Sequence, residues 1–76
     1  MTSDEGFILS NKYRRAIFDE LASGESNIMT IAKKQRIIPR IAQRVISDFE
    51  SLGIVEKKNN RYVFTKKGEK LVETLA

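Results

Sequence analysis

At Gly53 the spacing of apolar residues changes, and that change constrains the fold more than any other feature of the chain. Before it, apolar side chains recur every three or four residues, the period of a helix with one buried face. After it, two short β-prone runs, Ile54-Val55-Glu56-Lys57-Lys58 and Arg61-Tyr62-Val63-Phe64-Thr65, flank Asn59-Asn60. A chain of 76 residues has apolar side chains for one core only, so helices and strands must share it. The pattern predicts an α+β class: three helices, a two-stranded hairpin and a short closing helix, in a single domain over residues 1–76.

Residues 1–6 are polar and read as a flexible tail. Phe7-Ile8-Leu9 leads to Ser10, a good N-cap for a first helix starting near Asn11, with Tyr13, Ala16, Ile17, Phe18, Leu21 and Ala22 on its apolar side. Gly24 is placed to close it in the left-handed conformation. Ser26 or Asn27 can cap a second helix ending near Gln35, in which Ile28, Ile31 and Ala32 form the apolar edge. Pro39 suits the first turn of a third helix over residues 39–52 and pushes Ile38 into an extended conformation. Its apolar side is Ile38, Ala42, Val45, Ile46, Phe49 and Leu52; Arg40, Gln43, Arg44, Ser47 and Ser51 form the opposite stripe. Paired asparagines tolerate the positive φ angles of a type I′ hairpin turn. Thr65 can cap a closing helix through Leu75, whose first turn Gly68 softens.

Composition removes several function classes. The chain has no Cys and no His, which excludes disulfide, zinc-finger and iron–sulfur chemistry and takes away the commonest general base. Neither an enzyme nor a cofactor is expected. Asp19 with Glu20, or Asp48 with Glu50, point apart on their helices and read as solvated rather than as a metal or catalytic pair. No apolar run reaches the ~20 residues of a membrane span, and the acidic start is unlike a signal peptide, so a cytoplasmic protein with no membrane partner is expected. The net charge is +4, but residues 33–67 carry ten basic and three acidic side chains, a local +7 against −3 elsewhere. Such polarity along the chain is what a protein with one anion-facing side would show, with lysines clustered for solubility alone as the alternative.

This order of elements resembles the winged helix-turn-helix family, in particular small archaeal and bacterial transcription regulators, including those of archaeal plasmids and viruses. The residues carrying the resemblance are the opening helix Ser10-Asn11-Lys12-Tyr13-Arg14-Arg15-Ala16-Ile17-Phe18-Asp19-Glu20-Leu21, Thr30-Ile31-Ala32 in the second helix, Phe49-Glu50-Ser51-Leu52-Gly53-Ile54-Val55 at the entry to the hairpin, and Phe64-Thr65-Lys66-Lys67-Gly68 after it. The resemblance implies a partner in double-stranded DNA, with the third helix in the major groove and the hairpin, the wing, on a flanking phosphate or in the minor groove. Residue by residue, it assigns Arg40, Gln43, Arg44 and Ser47 to recognition, Lys57, Lys58, Asn59, Asn60 and Arg61 to the wing, and Lys33, Lys34 and Arg36 to phosphate anchoring. Arg can bond guanine and Gln adenine in the major groove, so the residue types suit those roles. Many family members have Gly in the turn before the recognition helix and Ser or Thr at its start; here Arg36-Ile37-Ile38-Pro39 has neither.

Tyr13, Phe18, Phe49, Tyr62 and Phe64 keep helical or alternating spacing and are expected in the core rather than as a stacking set for single strands. Ile41, between the two stripes of its helix, is expected buried, with contact to a thymine methyl as the alternative. Arg14 and Arg15 read as surface residues, with contact to DNA from the first helix as the alternative. A protein-interaction adaptor and an RNA-binding module are the competing readings. Only Phe7, Ile8, Leu9, Leu71, Val72 and Leu75 are available for pairing two copies, which predicts a weak homodimer, or a monomer that pairs on DNA.

Overall fold

The computed structural model describes residues 3–75. Five helices and one antiparallel hairpin follow in the order α1 (Asp4–Leu9), α2 (Lys12–Ala22), α3 (Ile28–Gln35), α4 (Pro39–Ser51), β1 (Val55–Lys58), β2 (Arg61–Phe64) and α5 (Lys66–Leu75). Side-chain caps decide where four of these helices begin. The Oδ1 of Asn11 accepts from the amides of Tyr13 (2.8 Å) and Arg14 (3.2 Å), and that of Asn27 from Met29 (2.9 Å) and Thr30 (3.1 Å). Ser3 caps α1 and Thr65 caps α5 in the same manner. Each such cap stabilises its helix by about 1 kcal/mol. Only α4 starts without one: Ile38 occupies the cap position and Pro39 the first turn.

α1 corrects the expectation of a tail over residues 1–6. Met1 and Thr2 lie outside the described residues, but Ser3 caps a helix whose first turn holds Asp4 and Glu5, charges that favour the positive end of the helix dipole. Ile8, at 1% exposure, inserts into the core from this helix. Ser10 consequently ends α1, its amide bonded to the Gly6 carbonyl, and Asn11 takes over the capping role expected of Ser10. The hairpin and closing helix agree with the sequence expectation. Asn59 (φ 51°) and Asn60 (φ 66°) both take positive φ, and the register pairs Val55 with Phe64, Lys57 with Tyr62 and Lys58 with Arg61.

One core joins these elements. Ile8, Ile17, Ile31, Ile46, Phe49, Ile54 and Val55 are essentially inaccessible, and the Phe18 ring meets Phe49 edge-on at 6.3 Å and Phe64 at 5.2 Å. Tyr62 is buried, and Tyr13 packs half-buried at its margin. Ile41 is also half-buried against the core. Two apolar assignments fail: Ala22, in the last turn of α2, is exposed, and Ile38 is 64% exposed. Ile37, not Ile38, fills the core seat there, because the turn after α3 directs the earlier isoleucine inward.

The connection between α4 and the hairpin is clamped by the start of α5. The Thr65 hydroxyl lies 2.5 Å from the Gly53 carbonyl and 3.1 Å from that of Ile54, to which the Thr65 amide also donates at 3.0 Å. The Lys67 ammonium donates to the Leu52 carbonyl at 2.7 Å and pairs with Asp4 at 3.0 Å, so α1 enters the same joint. Gly68 closes it: a Cβ there would lie 2.1 Å from the Ile54 carbonyl oxygen and 2.7 Å from Cδ1 of Phe64. Close approach, rather than a soft helix start, explains this glycine.

Glu20 corrects a second expectation. It is 9% exposed instead of solvated, and its carboxylate accepts from Nε2 of Gln35 and, at 3.2 Å, from the ammonium of Lys34, tying α2 to the end of α3. The Gln35 hydrogen bond holds its carboxyl below the usual 4.5, reinforced by the Lys34 bond and charge and opposed by burial.

Gly68→Ala is expected to destabilise the fold by about 3 kcal/mol, the upper end of overpacking costs, seen as a lower urea midpoint; an unchanged midpoint would contradict the clamp. Because folding depresses the Glu20 pKa, its contribution is fully present above 4.5 and is lost as pH falls through the lower folded value. Glu20→Gln should therefore show a smaller loss of stability than the parent on acidification across that window, measured by urea unfolding at each pH.

Candidate nucleic-acid interface

The amphipathic pattern of α4 sorts its side chains into two sides. Ala42, Val45, Ile46 and Phe49 are buried, while Arg40, Gln43, Arg44 and Ser47 are exposed on the far side. These four line a common groove between α4 and the start of α2, to which Asn11, Tyr13 and Arg14 also contribute. Half-buried Asp48 is the carboxylate lining it. Proximity of the α2 start to this stripe depends on packing between helices distant in sequence, and no local pattern signals it.

Arg14 is engaged structurally: its guanidinium donates to the Phe7 carbonyl (3.2 Å) and the Ser10 hydroxyl (3.3 Å), and stacks 3.7 Å above the Phe7 ring. It fastens α1 to α2. Arg15 is exposed.

The turn between α3 and α4 sets the relative direction of these helices, and Arg36 makes it. Its backbone is left-handed (φ 56°, ψ 43°), the conformation usually given to glycine, and the Ile37 amide after it returns to the Ala32 carbonyl at 2.8 Å. Arg36 and Lys33 line a second groove, together with Met29, Thr30, Ile37 and Pro39. Lys34 is exposed but tied to Glu20, so its ammonium sits at the α2–α3 seam.

The wing is held at one point to the loop before α3. The Tyr62 amide donates to the Ser26 carbonyl at 2.9 Å and the Arg61 guanidinium to the Ser26 hydroxyl at 3.2 Å. Glu25 steadies that loop by accepting from the amides of Ser26 and Asn27. At the wing tip Lys58 faces Arg61 across the strands, a like-charge pair that Glu56, 3.4 Å from Lys58, offsets only in part. Lys57, Asn59 and Asn60 are exposed. None of residues 57–61 lines the grooves beside α4; the wing forms a separate basic projection. Thus Arg40, Gln43, Arg44 and Ser47 come together, Lys33 and Arg36 form a neighbouring pair, and the wing stands apart.

Among the described residues no group of three or more His, Cys, Asp or Glu could hold a metal ion, and no helix is long and apolar enough to cross a membrane. A family model described as winged helix-turn-helix matches residues 4–76. No curated protein and no solved structure gave a significant match.

A left-handed non-glycine residue carries about 1 kcal/mol of strain. Arg36→Gly should relieve it and raise unfolding stability by that order, read from urea denaturation; an unchanged or lower midpoint would mean that the arginine side chain stabilises the turn.

Proposed function

The chain belongs to the winged helix-turn-helix family, whose domains typically bind DNA and are not catalytic, and on that footing we propose that it is a sequence-specific, double-stranded-DNA-binding regulator of transcription. The observation that carries this reading is the stripe of Arg40, Gln43, Arg44 and Ser47, exposed along one side of α4 while the other side is sealed in the core. A helix so presented can enter a major groove, with Arg40 and Arg44 donating to guanine, Gln43 pairing with adenine and Ser47 reaching base or phosphate. Lys33 and Arg36, beside the start of α4, suit phosphate contacts that fix orientation, with Lys34 next to them, able to assist once its pairing with Glu20 is shared. Lys57, Lys58, Asn59, Asn60 and Arg61 give the wing a polar, cationic tip for flanking backbone or minor groove.

An adaptor would be expected to show apolar or acidic residues on the outer side of α4, and this stripe is Arg, Gln, Arg and Ser. Ile8 and Leu71 are committed to the core, and Phe7, Val72 and Leu75 pack against it, leaving Leu9, among the described residues, as the exposed large apolar residue of that end. We therefore expect a monomer or weak dimer that pairs on DNA, acting in the cytoplasmic compartment where that DNA lies.

Binding to a duplex should weaken steeply with salt, by about a thousandfold between 50 and 200 mM if about six phosphates are neutralised. In the same titrations Arg44→Ala should lose more affinity for the preferred duplex than for random DNA, whereas Lys57→Ala should lose similarly on both. Salt-independent binding, preferential displacement of the duplex by RNA of matched sequence, or equal losses for both variants on both duplexes would each contradict the assignment.

A further inference from the structure

Ile38 stands out on three independent observations. Among the described residues it is the most exposed of the large apolar ones, at 64% against 52% for Met29 and 46% for Leu9. It occupies the cap position of α4, the one helix whose start lacks a side-chain cap, although the chain supplies Ser, Asn, Asn and Thr for the others. It also lies between Arg36 and Arg40, within the segment 33–67 that carries the local +7. An exposed isoleucine here stabilises neither helix nor core, since Ile37 takes the buried seat.

We propose that Ile38 is a specificity residue that packs against the C5-methyl group of a thymine in the DNA bound by α4. The inference rests on the DNA-binding reading above. The start of a recognition helix is where side chains meet base edges, and the thymine methyl is the apolar group that a major groove offers to an aliphatic side chain. Ile41, the other isoleucine near the stripe, is half-buried against the core and has less surface to give. Ile38 thus adds an apolar contact at the start of the helix that carries Arg40, Gln43 and Arg44, and predicts a thymine at the edge of the bases they read.

The test uses the full chain and the duplex that it selects from a random-sequence pool, with each thymine replaced in turn by uracil, which differs only in lacking the methyl group. One replacement should weaken binding about fourfold, the equivalent of losing one buried methyl-sized group. Ile38→Asn should abolish that thymine-to-uracil ratio while raising thermal stability, because asparagine restores a helix cap. Opposite signs in stability and discrimination separate a lost contact from a damaged fold, and Ile38→Val should keep most of the ratio. A parent that binds its duplex but is indifferent to every thymine-to-uracil change overturns the inference, as does a selected site without thymine. An undiminished ratio in Ile38→Asn that disappears in Ile41→Ala would assign the methyl to Ile41 instead. Absence of any duplex binding would instead overturn the DNA reading itself, and this inference with it.

Discussion

The clamp of Thr65-Lys66-Lys67-Gly68 on Leu52-Gly53-Ile54 is the contact on which the rest of the molecule depends. It fastens the end of α4, the root of the hairpin and the start of α5 through main-chain carbonyls, which cannot shift without moving their elements. Lys67 brings Asp4, and with it α1, to the same point. In a domain this small the core contributes modest stability, so a joint that aligns several elements at once has large leverage. The direction in which α4 presents its outer stripe follows from where this joint holds its end and where the Arg36 turn holds its beginning.

Much of this was legible in the sequence, and what was not shares a physical cause. α2, α3, α4, the hairpin and α5 carry periodic apolar residues with local punctuation: Asn27 as a cap, Pro39 at an N-terminus, Asn59-Asn60 at a turn; the cap of α2 is Asn11, one residue after the expected Ser10. α1 escaped because a six-residue helix is too short to display a period, and its stability derives from Ile8 in the core and Asp4 on Lys67. Glu20 escaped for a related reason. Its partners Lys34 and Gln35 are 14 and 15 residues away, and only tertiary packing makes a buried carboxylate tolerable there.

The candidate interface divides along the same line. The stripe of Arg40, Gln43, Arg44 and Ser47 follows from helical periodicity, and the structure leaves every member exposed. Ile38 was misplaced by extending that periodicity one residue past the helix, where ψ of 130° ends the geometry on which the period rests. Lys34 and Arg61 read as free cations in sequence, yet each has a protein partner, Glu20 and Ser26 respectively. Arg61, held by a neutral hydroxyl, keeps its charge and has less conformational freedom to lose on meeting an anion, whereas Lys34 already has a carboxylate as its counterion.

The Ser26 attachment has a consequence for what the molecule can span. β2 is bonded through Tyr62 and Arg61 to Ser26 in the loop that launches α3, so the hairpin is held at that point to the start of the helix pair that follows. On the proposed reading this attachment makes the domain a caliper whose second jaw, the wing, is tethered to the helix pair that carries the first. Inserting or deleting a base pair between the groove read by α4 and the site touched by the wing would leave one jaw unfilled, and spacing would be discriminated as firmly as sequence.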